Sequence, residues 1–150
     1  MKKIFLGSDH AGFSLKEKVK KHLEKNRIEC EDLGPRKFSP NDDYPDFIIP
    51  TAKKVARTRN SLGIVFGGSG QGEAIAANKV KGIRAVVVYS PNEKIVKLSK
   101  EHNDANVLSI GARFLSEKEA IKIIDLWLKT KFSKKKRHIR RINKIKKFEE

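Results

Sequence analysis

Leu62-Gly63-Ile64-Val65-Phe66 is a nearly unbroken apolar run, and it leads straight into Gly67-Gly68-Ser69-Gly70-Gln71-Gly72-Glu73, which has four glycines in its first six residues. A run of that kind suits a central strand covered on both faces. The glycines then allow a tight turn, and residues 73–79 read as a helix. Strand, glycine turn and helix in that order point to a parallel sheet with helical crossovers. The rest of the chain repeats the alternation, so an α/β fold is expected. Residues 3–7, 28–33, 61–67, 83–89 and 106–110 read as strands. Helices are expected over residues 14–25, 47–58, from Ser90 to about 102, and from Ser116 to about 128. Ser14/Glu17, Ser90/Glu93 and Ser116/Glu119 each fit a capping box, and Pro91 would stand at the first helical position. Leu15, Val19 and Leu23 recur four apart and should face the sheet, as should Ala120, Ile123, Ile124, Trp127 and Leu128. Residues 35–46 hold Pro35, Pro40 and Pro45 with Asn41, Asp42 and Asp43, a loop long enough to serve a site.

The chain has 150 residues, enough for one domain with a real core, and no repeat or boundary is visible before about residue 130. Residues 1–150 are therefore read as one domain, with residues 131–150 as a basic helical tail. No apolar run approaches the ~20 residues that span a bilayer. Polar Gly7-Ser8-Asp9-His10 follows Leu6 too soon for a secretion signal, so the expected compartment is the cytoplasm. A lone cysteine, Cys30, excludes a disulfide framework and a Cys-rich metal site, and reads as a core thiol.

The formal charge is +16, and the last 22 residues carry 11 Lys and Arg against two Glu, more than half of it. Such a tail fits a polyanion binder working by counterion release. It equally fits a few arginines that hold one phosphorylated substrate among solubilising lysines. Ile139, Ile142, Ile145 and Phe148 recur every third residue, an apolar stripe that a free polybasic tail does not need. The stripe is read as docking on protein, a second subunit being the expected partner.

Backbone amides in the 67–73 segment can converge on an anion at a helix start, although any tight turn uses glycine. No Gly-Lys-Ser/Thr follows, which excludes a Walker loop. Glu73 stands where a dinucleotide fingerprint wants glycine or alanine. Asp9-His10 follows the first strand and should meet the glycine loop at the carboxyl edge of the sheet, where open α/β folds bind ligands. It could also be an ordinary loop cap. His102-Asn103-Asp104 closes a helix, where a histidine also reads as a partner of the dipole. Arg113, Arg137 and Arg141 each read equally as solvated charge.

Taken together these segments resemble type B ribose-5-phosphate isomerase, the family that also holds galactose- and allose-6-phosphate isomerases. The resemblance rests on residues 67–79 (Gly-Gly-Ser-Gly-Gln-Gly-Glu-Ala-Ile-Ala-Ala-Asn-Lys), Gly7-Ser8-Asp9-His10-Ala11-Gly12, Asp43-Tyr44-Pro45, Gly82-Ile83-Arg84-Ala85, Glu101-His102-Asn103-Asp104-Ala105-Asn106, and Arg137-His138 with Arg141. They occur in order across about residues 3–141.

The resemblance implies a three-layer α/β/α sandwich with a Rossmann-like five-stranded parallel sheet and a C-terminal helical tail. It also implies a homodimer or dimer of dimers, and no metal or organic cofactor. The implied reaction is aldose–ketose isomerisation of a sugar phosphate through an enediolate. One branch places a cysteine base where this chain has Gly67; another uses a glutamate after the glycine loop, and Glu73 matches that branch. His102 is the implied acid/base of ring opening, with Asp9 near the ring oxygens. Gly68, Ser69, Gly70, Gln71 and Gly72 would form the anion hole, Ser69 adding a catalytic hydroxyl. His10, Arg113, Arg137 and Arg141 are the implied phosphate ligands, and Tyr44, Asn103 and His138 the remaining substrate contacts. Burial would raise the Glu73 pKa and its helix N-terminus would lower it; the sequence leaves the balance open. Ribose 5-phosphate is the expected substrate, a six-carbon sugar phosphate is the alternative, and a nucleic-acid-binding module using the tail is the reading from another class. Neither nucleic acid nor membrane is expected as a partner.

Overall fold

The structure, a computed structural model, describes residues 2–150. Its sheet is built from β1 (Lys3–Ser8), β2 (Cys30–Asp32), β3 (Ser61–Gly67), β4 (Ala85–Val88) and β5 (Val107–Gly111). All pairings are parallel, in the order β2-β1-β3-β5-β4. The helices are α1 (His10–Lys25), α2 (Pro45–Arg57), α3 (Gln71–Asn78), α4 (Glu93–Glu101), α5 (Glu117–Lys129) and α6 (Lys136–Phe148).

Alternation along the strands divides the core between two faces. Ile4, Leu6, Leu62, Ile64, Phe66, Leu108 and Ile110 pack with Leu15, Val19 and Leu23 of α1, Val96 of α4 and Ile123, Ile124 and Trp127 of α5. Phe5, Val65 and Val107 pack on the other face with Ile48, Ala52 and Val55 of α2 and Ala76 and Ala77 of α3. This is the expected three-layer sandwich, and the expected core faces of α1 and α5 are the buried ones.

The element ends differ from expectation in instructive ways. Helix α1 starts at His10, four residues before the capping box read at Ser14, because the Asp9 carboxylate accepts the Gly12 N–H at 3.1 Å. Gly12 makes that sharp start possible, since a β-carbon there would run into the backbone of Phe66. Asn92, and not Ser90, caps α4 by accepting the Ile95 N–H at 3.3 Å, so Pro91 lies outside the helix. The Ser116/Glu119 box is present as read. Strands β2 and β4 are shorter than their apolar runs, because only the central residues find ladder partners. Cys30 is half-buried on the edge strand, and burial pushes its thiol pKa up.

The tail forms α6, and the expected stripe splits. Ile142 is buried on its own chain, while Ile139, Ile145 and Phe148 stay exposed. Both ends of α6 are tied to the amino edge of the sheet. Ser133, just before it, donates its N–H to Glu101 O at 3.0 Å, and Glu149 accepts the Gly82 N–H at 3.0 Å.

Candidate functional site

Strands β1, β3 and β5 all end at the same edge of the sheet, and the segments that leave them form a cleft. The β3–α3 turn is pinned from below. Ser109 on β5 donates its hydroxyl to Gly70 O at 2.7 Å, and Gly70 takes a positive φ of 79°. Backbone bonds from Ala112 N to Gly67 O (2.8 Å) and from Arg113 N to Gly68 O (3.0 Å) fasten the β5 exit to the loop. These bonds hold the glycine turn in one shape before any ligand arrives, which is what an anion-binding turn requires.

Glu73, in the first turn of α3, is 4% exposed. Its carboxyl group folds back over Gly67, into the space a β-carbon on residue 67 would need. Burial pushes the Glu73 pKa up; its own backbone N–H opposes that, and the nearby Asp9 carboxylate reinforces it. Desolvation therefore outweighs the helix N-terminus, the balance the sequence left open. Ser69 accepts the Gln71 N–H at 3.3 Å, which orients its hydroxyl oxygen within the turn. The Tyr44 phenol lies flat against Gly72, where a β-carbon would strike its Cζ at 2.6 Å.

Two basic side chains stand on the neighbouring segments of this edge. Arg113, exposed, lies with its guanidinium over Gly68. His10 is held by Asp42, whose Oδ1 takes both the His10 backbone N–H at 2.9 Å and ring Nδ1 at 2.7 Å. The Asp42 hydrogen bond pushes the His10 pKa up against partial desolvation, helped by the charges of Asp9 and Asp42 and countered by that of Arg113. Asp42 is a residue the sequence reading missed; it stood among several acidic and amide groups in a proline-rich loop.

The loop that carries Asp42 is itself anchored by a fully buried lysine. Lys16 Nζ donates to both Asp32 oxygens (2.8 and 2.7 Å) and to Pro35 O (2.8 Å). Asp32 also accepts the Gly34 N–H at 2.9 Å. Asp9 is less free than its expected role near the sugar ring implies, because one of its oxygens is spent capping α1.

The other expected residues lie elsewhere. Helix α4 leaves the carboxyl edge after β4 and runs back along the sheet, so His102 at its C-cap sits at the amino edge. The nine residues of α4 put about 13 Å between the two edges. There the His102 and His138 rings stack with centroids 4.2 Å apart. His138 is buried; its Nδ1 meets the Ser133 hydroxyl at 2.7 Å, and its Nε2 has no partner among the described residues. Burial pushes its pKa down, and His102, Arg137, Arg141 and Lys135 add to that. Asn103 is exposed, and its carbonyl accepts from Arg84 Nε at 3.0 Å. Arg137 and Arg141 are exposed and form no ion pair with a described residue. The expected site residues thus fall into two groups on one chain: Asp9, His10, Tyr44, the 68–73 turn and Arg113 at the carboxyl edge, and His102, Asn103, Arg137, His138 and Arg141 at the opposite one.

Comparison with known proteins matches residues 4–145 to the ribose/galactose isomerase family. A probable ribose-5-phosphate isomerase B of Mycoplasma genitalium is 46% identical over 147 residues, covering 97% of this chain and 95% of that protein. Ribose-5-phosphate isomerase B of Mycobacterium tuberculosis is 42% identical over 147 residues, covering 98% and 90%. Among solved structures, the Mycoplasma genitalium isomerase with bound ribulose-5-phosphate superposes with a TM-score of 0.92 at 45% identity, covering 98% of this chain and 95% of that one.

Proposed function

This chain belongs to the ribose/galactose isomerase family, and from that premise we propose that it interconverts ribose 5-phosphate and ribulose 5-phosphate. It is an aldose–ketose isomerase of sugar phosphates. The observation that carries the proposed chemistry is the buried Glu73 carboxyl folded over Gly67 at a preorganised glycine turn, with Arg113 over Gly68 of the same turn.

The sugar is mainly a closed ring, so a proton must first move between ring oxygen and a donor, the role proposed for His102. Glu73 then takes the C2 proton of the open aldose and returns it to C1, while the O2 hydrogen ends on O1. A carboxylate with a raised pKa is a stronger base than an exposed one. Negative charge develops on oxygen in the enediolate. The amides of residues 68–72 and the Ser69 hydroxyl are proposed as its donors, each such donor being worth about 3–4 kcal/mol in comparable sites. His10, Arg113, Arg137 and Arg141 are proposed as phosphate ligands, with Tyr44, Gln71, Asn103 and His138 completing the pocket.

Completing it requires a second chain. The amino-edge half-site has the exposed Arg137 and Arg141, with no acidic partner among the described residues, and the carboxyl-edge half-site has the proposed base. A twofold homodimer would bring each against its complement, and the exposed Ile139, Ile145 and Phe148 suit that contact. We propose residues 1–150 as one domain and the cytoplasm as its place of work; no helix among the described residues is long and apolar enough to cross a membrane.

Steady-state assays of the purified protein on ribose 5-phosphate, galactose 6-phosphate and allose 6-phosphate test the reading. The five-carbon substrate should give kcat/KM at least tenfold above either six-carbon sugar. Equal or reversed preference would move the assignment within the family.

A further inference from the structure

Lys100, in the last turn of α4, is 3% exposed and makes a single hydrogen bond, from Nζ to Ala105 O at 2.9 Å. The Trp127 ring lies 4.7 Å from that nitrogen. No carboxylate of the described residues forms an ion pair with it. Buried ammonium groups are normally paired, because an unpaired one forfeits hydration for little return. Here burial pushes the Lys100 pKa down to about 8, with Lys2 adding to that and Asp104 opposing.

Lys100 lines a cavity of about 700 Å³ at the amino edge of the sheet, a size typical of small-molecule sites. Its walls are apolar: Ile4, Ile28, Leu62, Leu128 and Phe132. Lys2, Lys129, Lys131 and Lys134 surround it. Its two carboxylates are committed elsewhere, Asp125 to His22 at 2.9 Å and Asp104 to Arg84 at 3.4 Å. What is missing is an anion for Lys100 and a hydrocarbon body for the walls.

We propose that this cavity binds an aliphatic carboxylate, its head group against Lys100 and its chain along Ile28, Leu128 and Phe132. The surrounding lysines attract the anion and exclude hydrophobic cations. Sugar phosphates suit the cavity poorly, because their hydroxyls would face apolar walls without partners.

The probe is decanoate, followed by displacement of the fluorescent arylsulfonate anilinonaphthalene sulfonate and by the rise in Tm on binding. Decanoate should displace the dye at least tenfold more effectively than decan-1-ol, and ribose 5-phosphate should not displace it. Lys100→Met should lose at least tenfold in decanoate affinity, and its Tm without ligand should be no lower than that of the parent. Leu128→Trp, which fills the cavity and leaves Lys100 in place, should abolish binding of both dye and decanoate. Equal competition by the alcohol, displacement by ribose 5-phosphate, or an unchanged decanoate affinity in Leu128→Trp would each overturn the proposal. Should Lys100→Met fail to fold, Leu128→Trp alone decides it.

Discussion

The Glu73 carboxyl and Gly67 exclude each other's alternatives: the carboxyl occupies the space that a side chain at residue 67 would take. Gly67→Ala therefore has no room unless Glu73 moves. The backbone at 67 is ordinary strand, so the variant should fold, losing about 1–3 kcal/mol of stability to overpacking. Its kcat should fall at least tenfold with little change in KM, because the base and not the phosphate contacts is displaced. Steady-state kinetics with a thermal melt check both.

Glu73→Gln should retain the fold and lose about 10²–10⁴-fold in kcat, the usual worth of a positioned acid–base group. Its stability has a predictable sign. The folded-state pKa of Glu73 is raised, so the native state holds this proton more tightly than the unfolded chain does. Stability from this group is complete below the unfolded carboxylate range and is lost as pH rises through the folded pKa. Gln carries no such penalty. The variant should melt higher than the parent at pH 7, and the gap should close near pH 4, as calorimetry at both pH values would show.

Asp42→Asn should lower the His10 pKa, because the hydrogen bond that the Asp42 carboxylate accepts from the ring is the main influence raising it. If cationic His10 holds phosphate, KM for the sugar phosphate rises as pH climbs through the His10 pKa. In the variant that rise should begin at lower pH, with kcat little altered. Proton NMR of His10 alongside KM profiles between pH 5.5 and 8.5 would test the link, and a KM profile that fails to follow the NMR titration would remove His10 from the phosphate site.

Lys16→Met removes the closer of two cations from the buried Asp32 and leaves only Lys20, at 3.5 Å, where breaking a fully buried pair costs about 3–5 kcal/mol. The Asp32 carboxylate is desolvated, and the Lys16 and Gly34 hydrogen bonds more than offset that and hold its pKa down. The pair's stabilisation is thus present above the unfolded carboxylate pKa and fades as pH falls through the lower folded value. The parent should lose stability on acidification more steeply than the variant, measured by urea unfolding at pH 3–6.

Subunit mixing tests the assembly. Glu73→Gln and Arg137→Ala lie in different half-sites, so a mixed dimer contains one intact site and one doubly altered one. Equal mixing after reversible dissociation should restore about a quarter of parental activity, the statistical expectation for a twofold dimer. No recovery would mean that both half-sites of a working centre come from the same chain.

Much of the fold was legible because apolar periodicity reports burial directly. Leu15, Val19, Leu23 and the α5 face could be read as core, and the strand–glycine–helix passage as the middle of a parallel sheet. Helix starts were less legible. Ser14, Ser90 and Ser116 present the same local pattern, yet only Ser116 caps its helix. At Asp9 the cap is chosen by how closely Gly12 approaches Phe66, a contact between segments more than fifty residues apart. Asp42 and Lys100 escaped notice for a related reason. An acidic residue in a loop and a lysine in a last helical turn read as solvated until the chain folds over them.

The sequence by itself determined the layers, the glycine turn, the glutamate that opens α3 and the family, since these depend on local pattern and on residues close together in the chain. Only the tertiary structure decided that Glu73 is desolvated over Gly67, that Asp42 raises the His10 pKa, and that His102, Arg137 and Arg141 stand at the far edge of the sheet from Glu73. Those outcomes depend on which surfaces meet across the sheet, and burial and electrostatic pairing act through space without regard to distance along the chain.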